Sequence, residues 1–158
     1  MGRVKDEIGR EGGVIFYPTF FTTKRDFDKP MLVGNAALMV GIEAQRLLEQ
    51  QTQARGVASE YAMAVREMFG TRVRWMRLFG SLARGDWLGP EEADIDVAIV
   101  VDRRVFAEEM ELVDLASRLG WKHSVVLSPR IFSEEEFEGL LGRELRLAED
   151  IMSEGVVL

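Results

Sequence analysis

Asp94 and Asp96 stand two residues apart at the mouth of an apolar run, Ile95-Asp-Val-Ala-Ile-Val-Val101. In an extended strand, residues two apart point the same way and lie about 7 Å apart along the chain, so both carboxylates converge on one point. Two like charges held there raise each other's pKa unless a divalent cation neutralises them. Magnesium suits such a site, because it prefers carboxylate oxygens and completes its shell with waters and substrate phosphates; manganese is the alternative. Upstream, Gly80-Ser81 follows a second apolar run and opens a short helical stretch ending at Arg84. A strand running into such a turn presents outward N–H groups and a hydroxyl together, which is an anion site. Glycine lets a phosphate approach the backbone closely, Ser81 adds a hydrogen bond, and Arg84 adds charge from the next turn. A phosphate cradle beside metal-binding carboxylates is the chemistry of nucleotides. The Walker arrangement is excluded: Gly80 and Gly85 have its glycine spacing, but Asp86-Trp87 stands where Lys and Ser/Thr belong.

Elements that position these residues are legible around them. Val73–Phe79 reads as a strand, 80–84 as a short helix, 85–92 as a loop with Gly89-Pro90 as its turn, and 94–101 as a central strand with apolar side chains on both faces. Asp102 reads as the cap of a following helix whose Phe106, Met110, Leu112, Val113, Leu115 and Leu119 face the core until Gly120. A third strand is expected over 123–127, a helix opened by a Ser133–Glu136 capping box, and a last helix carrying Leu141, Leu145, Ala148 and Met152. Before the strands, helices are expected at 36–54 and 58–69, separated at Gly56 and closed by Gly70. Residues 14–21, rich in aromatics, read as an edge strand because Pro18 is ill suited to a central one. Trp75, Trp87 and Trp121 read as packing residues, and the lone histidine, His123, as a structural one.

The chain has 158 residues, 47% hydrophobic and 30% charged, which fits one domain with a real core plus an appendage. Cysteine is absent, removing disulfides and thiolate metal sites, and no apolar stretch reaches the roughly 20 residues that span a bilayer. A cytoplasmic protein with no membrane attachment is expected. The net charge of −7 disfavours nucleic acid as a general partner. Arg72, Arg74, Arg77 and Arg84 nevertheless cluster in sequence around the Gly-Ser turn, where they could hold a compact anion such as a nucleoside triphosphate.

Gly80-Ser81-Leu-Ala-Arg84-Gly85 followed by Asp94-Ile-Asp96 on an apolar strand resembles the signature of the DNA polymerase β-like nucleotidyltransferase superfamily, in particular its minimal nucleotidyltransferases. The likeness covers about residues 58–158, leaving 1–57 as an N-terminal extension of edge strand or irregular segment plus helix, available for a homodimer contact or a partner surface. It implies an α+β nucleotidyltransferase fold, a mixed β-sheet flanked by α-helices. It also implies transfer of a nucleoside monophosphate from an NTP, ATP above all, to a hydroxyl. By that likeness Asp94 and Asp96 are catalytic and hold the metal, while Gly80, Ser81 and Arg84 bind the nucleotide. Some relatives are antitoxins that modify a tyrosine of a HEPN-type toxin, so such a partner is expected here. Two departures stand out: Ala93 replaces the usual serine before the first aspartate, and the expected third strand, Trp121-Lys-His-Ser-Val-Val-Leu127, lacks the further carboxylate common in active relatives. Their absence leaves open a silent, nucleotide-binding antitoxin that acts by gripping its partner.

Overall fold

A computed structural model describes residues 31–158, with side chains from residue 39 onward. The edge strand expected at 14–21 lies outside the described residues. Helix α1 (Met31–Phe69) runs without interruption through Gly56. Ala54, Val57, Ala58, Tyr61, Ala62 and Val65 repeat at three- and four-residue intervals and are all buried, so one face of the helix is locked into the core. Gly56 lies off that face in open space, where glycine costs about 1 kcal/mol relative to alanine, too little to break a helix anchored on both sides. Met68, near the end of the helix, is exposed.

From Val40 to Leu158 the chain forms one unit built on a four-stranded sheet of order β3-β2-β1-β4. Strand β1 (Val73–Phe79) pairs antiparallel with β2 (Ile95–Val101), from Val73 opposite Val101 to Phe79 opposite Asp96. The short helix α2 (Gly80–Arg84) and the loop to Glu92 join them. Helix α3 (Phe106–His123) then carries the chain across to β3 (Leu127–Ser133), parallel to β2. Helices α4 (Glu134–Gly142) and α5 (Arg146–Ser153) follow, and β4 (Val156–Val157) returns antiparallel to β1. The architecture is the expected mixed sheet flanked by helices.

Strand β2 is central and its two faces feed two cores. Ile95, Val97, Ile99 and Val101 pack with α1 and α3, where the buried Tyr61 hydroxyl donates to the Leu112 carbonyl at 3.1 Å. Ala98 and Val100 pack with Phe79, Phe137, Ala148 and Ile151 beneath α4 and α5. There Phe137 meets Trp75 and Phe132 edge-on, with ring centroids 4.7 and 5.5 Å apart. The Ser133–Glu136 capping box forms as expected.

Several local expectations are corrected. Gly120 does not stop α3; it is buried against the Val125 carbonyl, and the helix continues to His123, ending where Ser124 turns left-handed. His123 is thus helical and bonds Glu60 at 2.8 Å, and the third strand begins four residues later at Leu127. Asp102 does not cap α3 but accepts from the Arg103 N–H and the Arg72 guanidinium. Leu112, Ala116 and Gly120 make the buried face of α3, while Phe106, Met110, Val113 and Trp121 are exposed. The last helical stretch is divided between α4 and α5, and the closing residues pair as β4.

Candidate active site

Phe79 is fully extended, and Gly80 then takes φ +72°, a left-handed turn that swings the chain out of β1 into α2. Because Phe79 is opposite Asp96, that turn lies against the Asp96 side chain: a Cβ on Gly80 would stand 2.6 Å from Asp96 Oδ2. Glycine is therefore required twice, for the turn and for the approach of the carboxylate. The first N–H groups of α2 have no partner within their own helix and no side-chain cap from Phe79. Gly85, left-handed at φ +88°, closes α2 by donating to the Ser81 carbonyl at 2.9 Å.

Helix α1 holds this turn from below. Arg55 donates to the Leu82 carbonyl at 2.5 Å, and Gln51 donates to the carbonyls of Gly85 and Trp87 at 3.3 and 2.9 Å. Trp87 is buried, as its packing role requires, and its indole N–H donates to the Ala93 carbonyl at 2.9 Å, closing the loop that delivers Asp94. Asp94 is exposed and Asp96 half-buried, on the same side of β2. Burial pushes the Asp96 carboxyl above the ordinary carboxylate range; the positive charge of Arg130 offsets this, the neighbouring Asp94 adds to it, and Arg84 offsets it again.

The structure thus brings Gly80, Ser81, Asp94 and Asp96 to one end of the β1–β2 pair. Arg84 is nearby but engaged, at 3.4 Å from both Asp86 and Glu154. The wider arginine cluster does not assemble. Arg72 sits at the far end of β1 with Asp102 and Glu108, Arg74 pairs with Glu134, and Arg77 donates to the carbonyls of Met152 and Gly155. Alternation along β1 and its distance from the turn explain this, because residues close in sequence lie as much as the length of the strand from Gly80.

Two neighbours were not foreseen. Ser128 lies opposite Asp96 and Arg130 opposite Ala98 on the parallel strand β3, so both share the face that carries Asp94 and Asp96. The period-two pattern of Ser128, Arg130 and Phe132 was the available signal, hidden once the strand was placed too early. Like the stretch before it, β3 contains no Asp or Glu. Among the described residues no group of three or more His, Cys, Asp or Glu side chains gathers around one point. The donor set is two carboxylates, one desolvated and in the field of the other, beside hydroxyl groups. This fits a hard divalent ion that takes its remaining ligands from water and phosphate, rather than an ion needing a complete protein cage.

Residues 58–158 match the model of the family described as the nucleotidyltransferase domain, and the chain belongs to that family. Two proteins of Methanocaldococcus jannaschii assigned as protein adenylyltransferases are similar to it. One is 33% identical over 99 residues, covering 63% of this chain and 91% of the relative. The other is 40% identical over 58 residues, covering 36% and 57%. Among solved structures, the toxin–antitoxin pair MntA–HpeT in mutant form aligns with TM-score 0.42 and 16% identity, covering 63% of this chain and 70% of that one. A protein of Sulfolobus solfataricus assigned as a nucleotidyltransferase aligns with TM-score 0.41 and 22% identity, covering 70% and 84%. Among the described residues no helix is long and apolar enough to cross a membrane.

Proposed function

We propose that this chain transfers a nucleoside monophosphate, AMP from ATP, to a hydroxyl group of another protein. The observation that carries the reading is the approach of the Asp96 carboxylate to the Gly80 turn in a member of the nucleotidyltransferase family, which supports a metal–phosphate site there. The protein as acceptor is supported by the assignment of the two archaeal relatives as protein adenylyltransferases. A tyrosine on a HEPN-type partner is the specific acceptor proposed.

Asp94 and Asp96 would hold magnesium or manganese, which when bound neutralises phosphate charge and favours alignment of attacking and leaving oxygens. Ser81 and the first N–H groups of α2 take the outer phosphates, and Gly80 makes room for the Asp96 carboxylate beside them. Arg84 contributes its positive charge at longer range while its guanidinium tethers α2 to Glu154 and Asp86. In the transfer, a bond forms between the acceptor oxygen and the α-phosphorus. The bond from that phosphorus to pyrophosphate breaks, and the hydroxyl proton passes to water. The chain supplies positioning and charge for this step; no carboxylate on β3 is present to take the proton.

That same feature of β3 favours a second reading, a nucleotide-binding partner protein that does not transfer. Incubation with magnesium, each NTP in turn and co-expressed neighbouring proteins, followed by intact-mass measurement, separates the two. Transfer adds one nucleoside monophosphate to a partner; the second reading gives nucleotide binding and no covalent product. Absence of both rejects the site.

A further inference from the structure

Strand β3 places Arg130 on the catalytic face of the sheet, one strand away from the aspartate pair. Ser128 is opposite Asp96 and Arg130 opposite Ala98, and parallel partners in register project to the same side. Arg130 is exposed, and among the described residues its guanidinium takes part in no ion pair, whereas Arg72, Arg74 and Arg84 are each committed to carboxylates. Its charge is nevertheless felt at Asp96, where it opposes the effect of burial.

Its position relative to the phosphate turn gives the residue a side. The sheet order β3-β2-β1 puts the Gly80 turn and Arg130 on opposite flanks of Asp96, with the two strands roughly 10 Å apart. In phosphoryl chemistry the attacking and leaving oxygens lie roughly in line through phosphorus. With pyrophosphate leaving over Gly80 and Ser81, the attacking hydroxyl enters over β3. We infer that Arg130 is a specificity-determining residue on the acceptor flank, contacting a carboxylate that neighbours the receiving hydroxyl of a protein substrate.

A guanidinium presents a planar fork that matches a single carboxylate in two parallel hydrogen bonds. No acidic side chain on β3 competes for it or repels the incoming group. A polyanion is a poorer match, because the chain carries a net charge of −7 and β3 runs directly into Glu134, Glu135 and Glu136. The inference rests on the nucleotidyl-transfer reading, which sets the side from which the acceptor enters.

The test uses the full chain saturated with magnesium and α,β-methylene-ATP, into which labelled peptides Gly-Glu-Tyr-Glu-Gly and Gly-Gln-Tyr-Gln-Gly are titrated by fluorescence anisotropy. Wild type is expected to bind the Glu peptide about tenfold more tightly than the Gln peptide, as a charge-assisted contact provides. Arg130→Ala is expected to abolish that preference and Arg130→Glu to invert it, each variant being compared at a concentration of the nucleotide analogue that saturates it. Equal binding of both peptides by wild type, or a preference that survives in Arg130→Ala, overturns the inference. So does Arg130-dependent displacement of the Glu peptide by a ten-nucleotide thymidine strand at lower concentration than the peptide itself requires, since the ligand is then nucleic acid. Failure of wild type to bind the analogue, measured separately, rejects the nucleotidyl-transfer reading instead.

Discussion

Asp96 lies against Gly80 so closely that even a methyl group on that glycine would come within 2.6 Å of a carboxylate oxygen. The contact joins the two halves of the site through the β1–β2 register, since Phe79 is the partner of Asp96 and Gly80 is the next residue. Gly80→Ala should therefore act in two ways. Left-handed backbone strain costs about 1–3 kcal/mol, and the carboxylate must move to admit the methyl group. We expect a modest loss in urea-denaturation stability and a loss of magnesium-dependent ATP affinity of at least about tenfold, more than 1.4 kcal/mol. Unchanged nucleotide affinity would show that the contact does not shape the site.

Asp96 has a raised pKa, chiefly through burial, so the folded protein binds its proton more tightly than the unfolded chain, whose ordinary value is 3.8. Its contribution to stability is full below that ordinary value and is lost as pH rises through the folded-state pKa. Asp96→Asn removes the titration. Measured by denaturation from below pH 3.8 upward, the variant should gain on wild type as pH rises through the folded-state pKa. Parallel pH profiles would contradict the assignment. The gain is the mark of a site residue kept for function at the expense of stability.

Helix α1 supports the turn through two side chains that donate to its backbone carbonyls. Gln51→Ala and Arg55→Ala each remove hydrogen bonds to the carbonyls of residues 82–87 and should cost about 1 kcal/mol apiece. Hydrogen exchange should quicken in 80–87 and not in β2. Uniform acceleration would point to global destabilisation instead.

Trp87 seals the loop before Asp94 from the core side. Trp87→Ala should destabilise by about 3–5 kcal/mol, and Trp87→Phe by less, while losing the bond to the Ala93 carbonyl. Thermal melts check the order. Equal stability of wild type and Trp87→Phe would mean that this hydrogen bond adds nothing beyond ring packing.

The strand, turn, helix and strand from Val73 to Val101 were legible because each boundary has a local cause: the alternation of β2, the Gly-Ser turn, and the Gly89-Pro90 break. The expectation of apolar side chains on both faces of β2 held for the same reason. What failed depended on distant partners. Gly56 looked like a break until Ala54, Val57 and Ala58 were seen to be buried by the sheet, and Gly120 looked like a stop although it makes room for the Val125 carbonyl. Strand β3 was placed early because Val125 and Val126 are better strand formers than Pro129 and Arg130, while register with β2 decides the outcome. The shift hid Arg130, and the arginines near the turn in sequence are directed elsewhere by partners at Asp102, Glu108 and Glu134.

The central claim is that Asp94 and Asp96 together hold a divalent ion against phosphate at the Gly80 turn. Isothermal titration of ATP into the full chain, with and without magnesium, tests it directly when repeated on the Asp94→Asn, Asp96→Asn double variant. The account predicts saturable binding that requires the metal in wild type and vanishes in a double variant that melts as a folded protein. Metal-dependent ATP binding of undiminished affinity in that variant would contradict it.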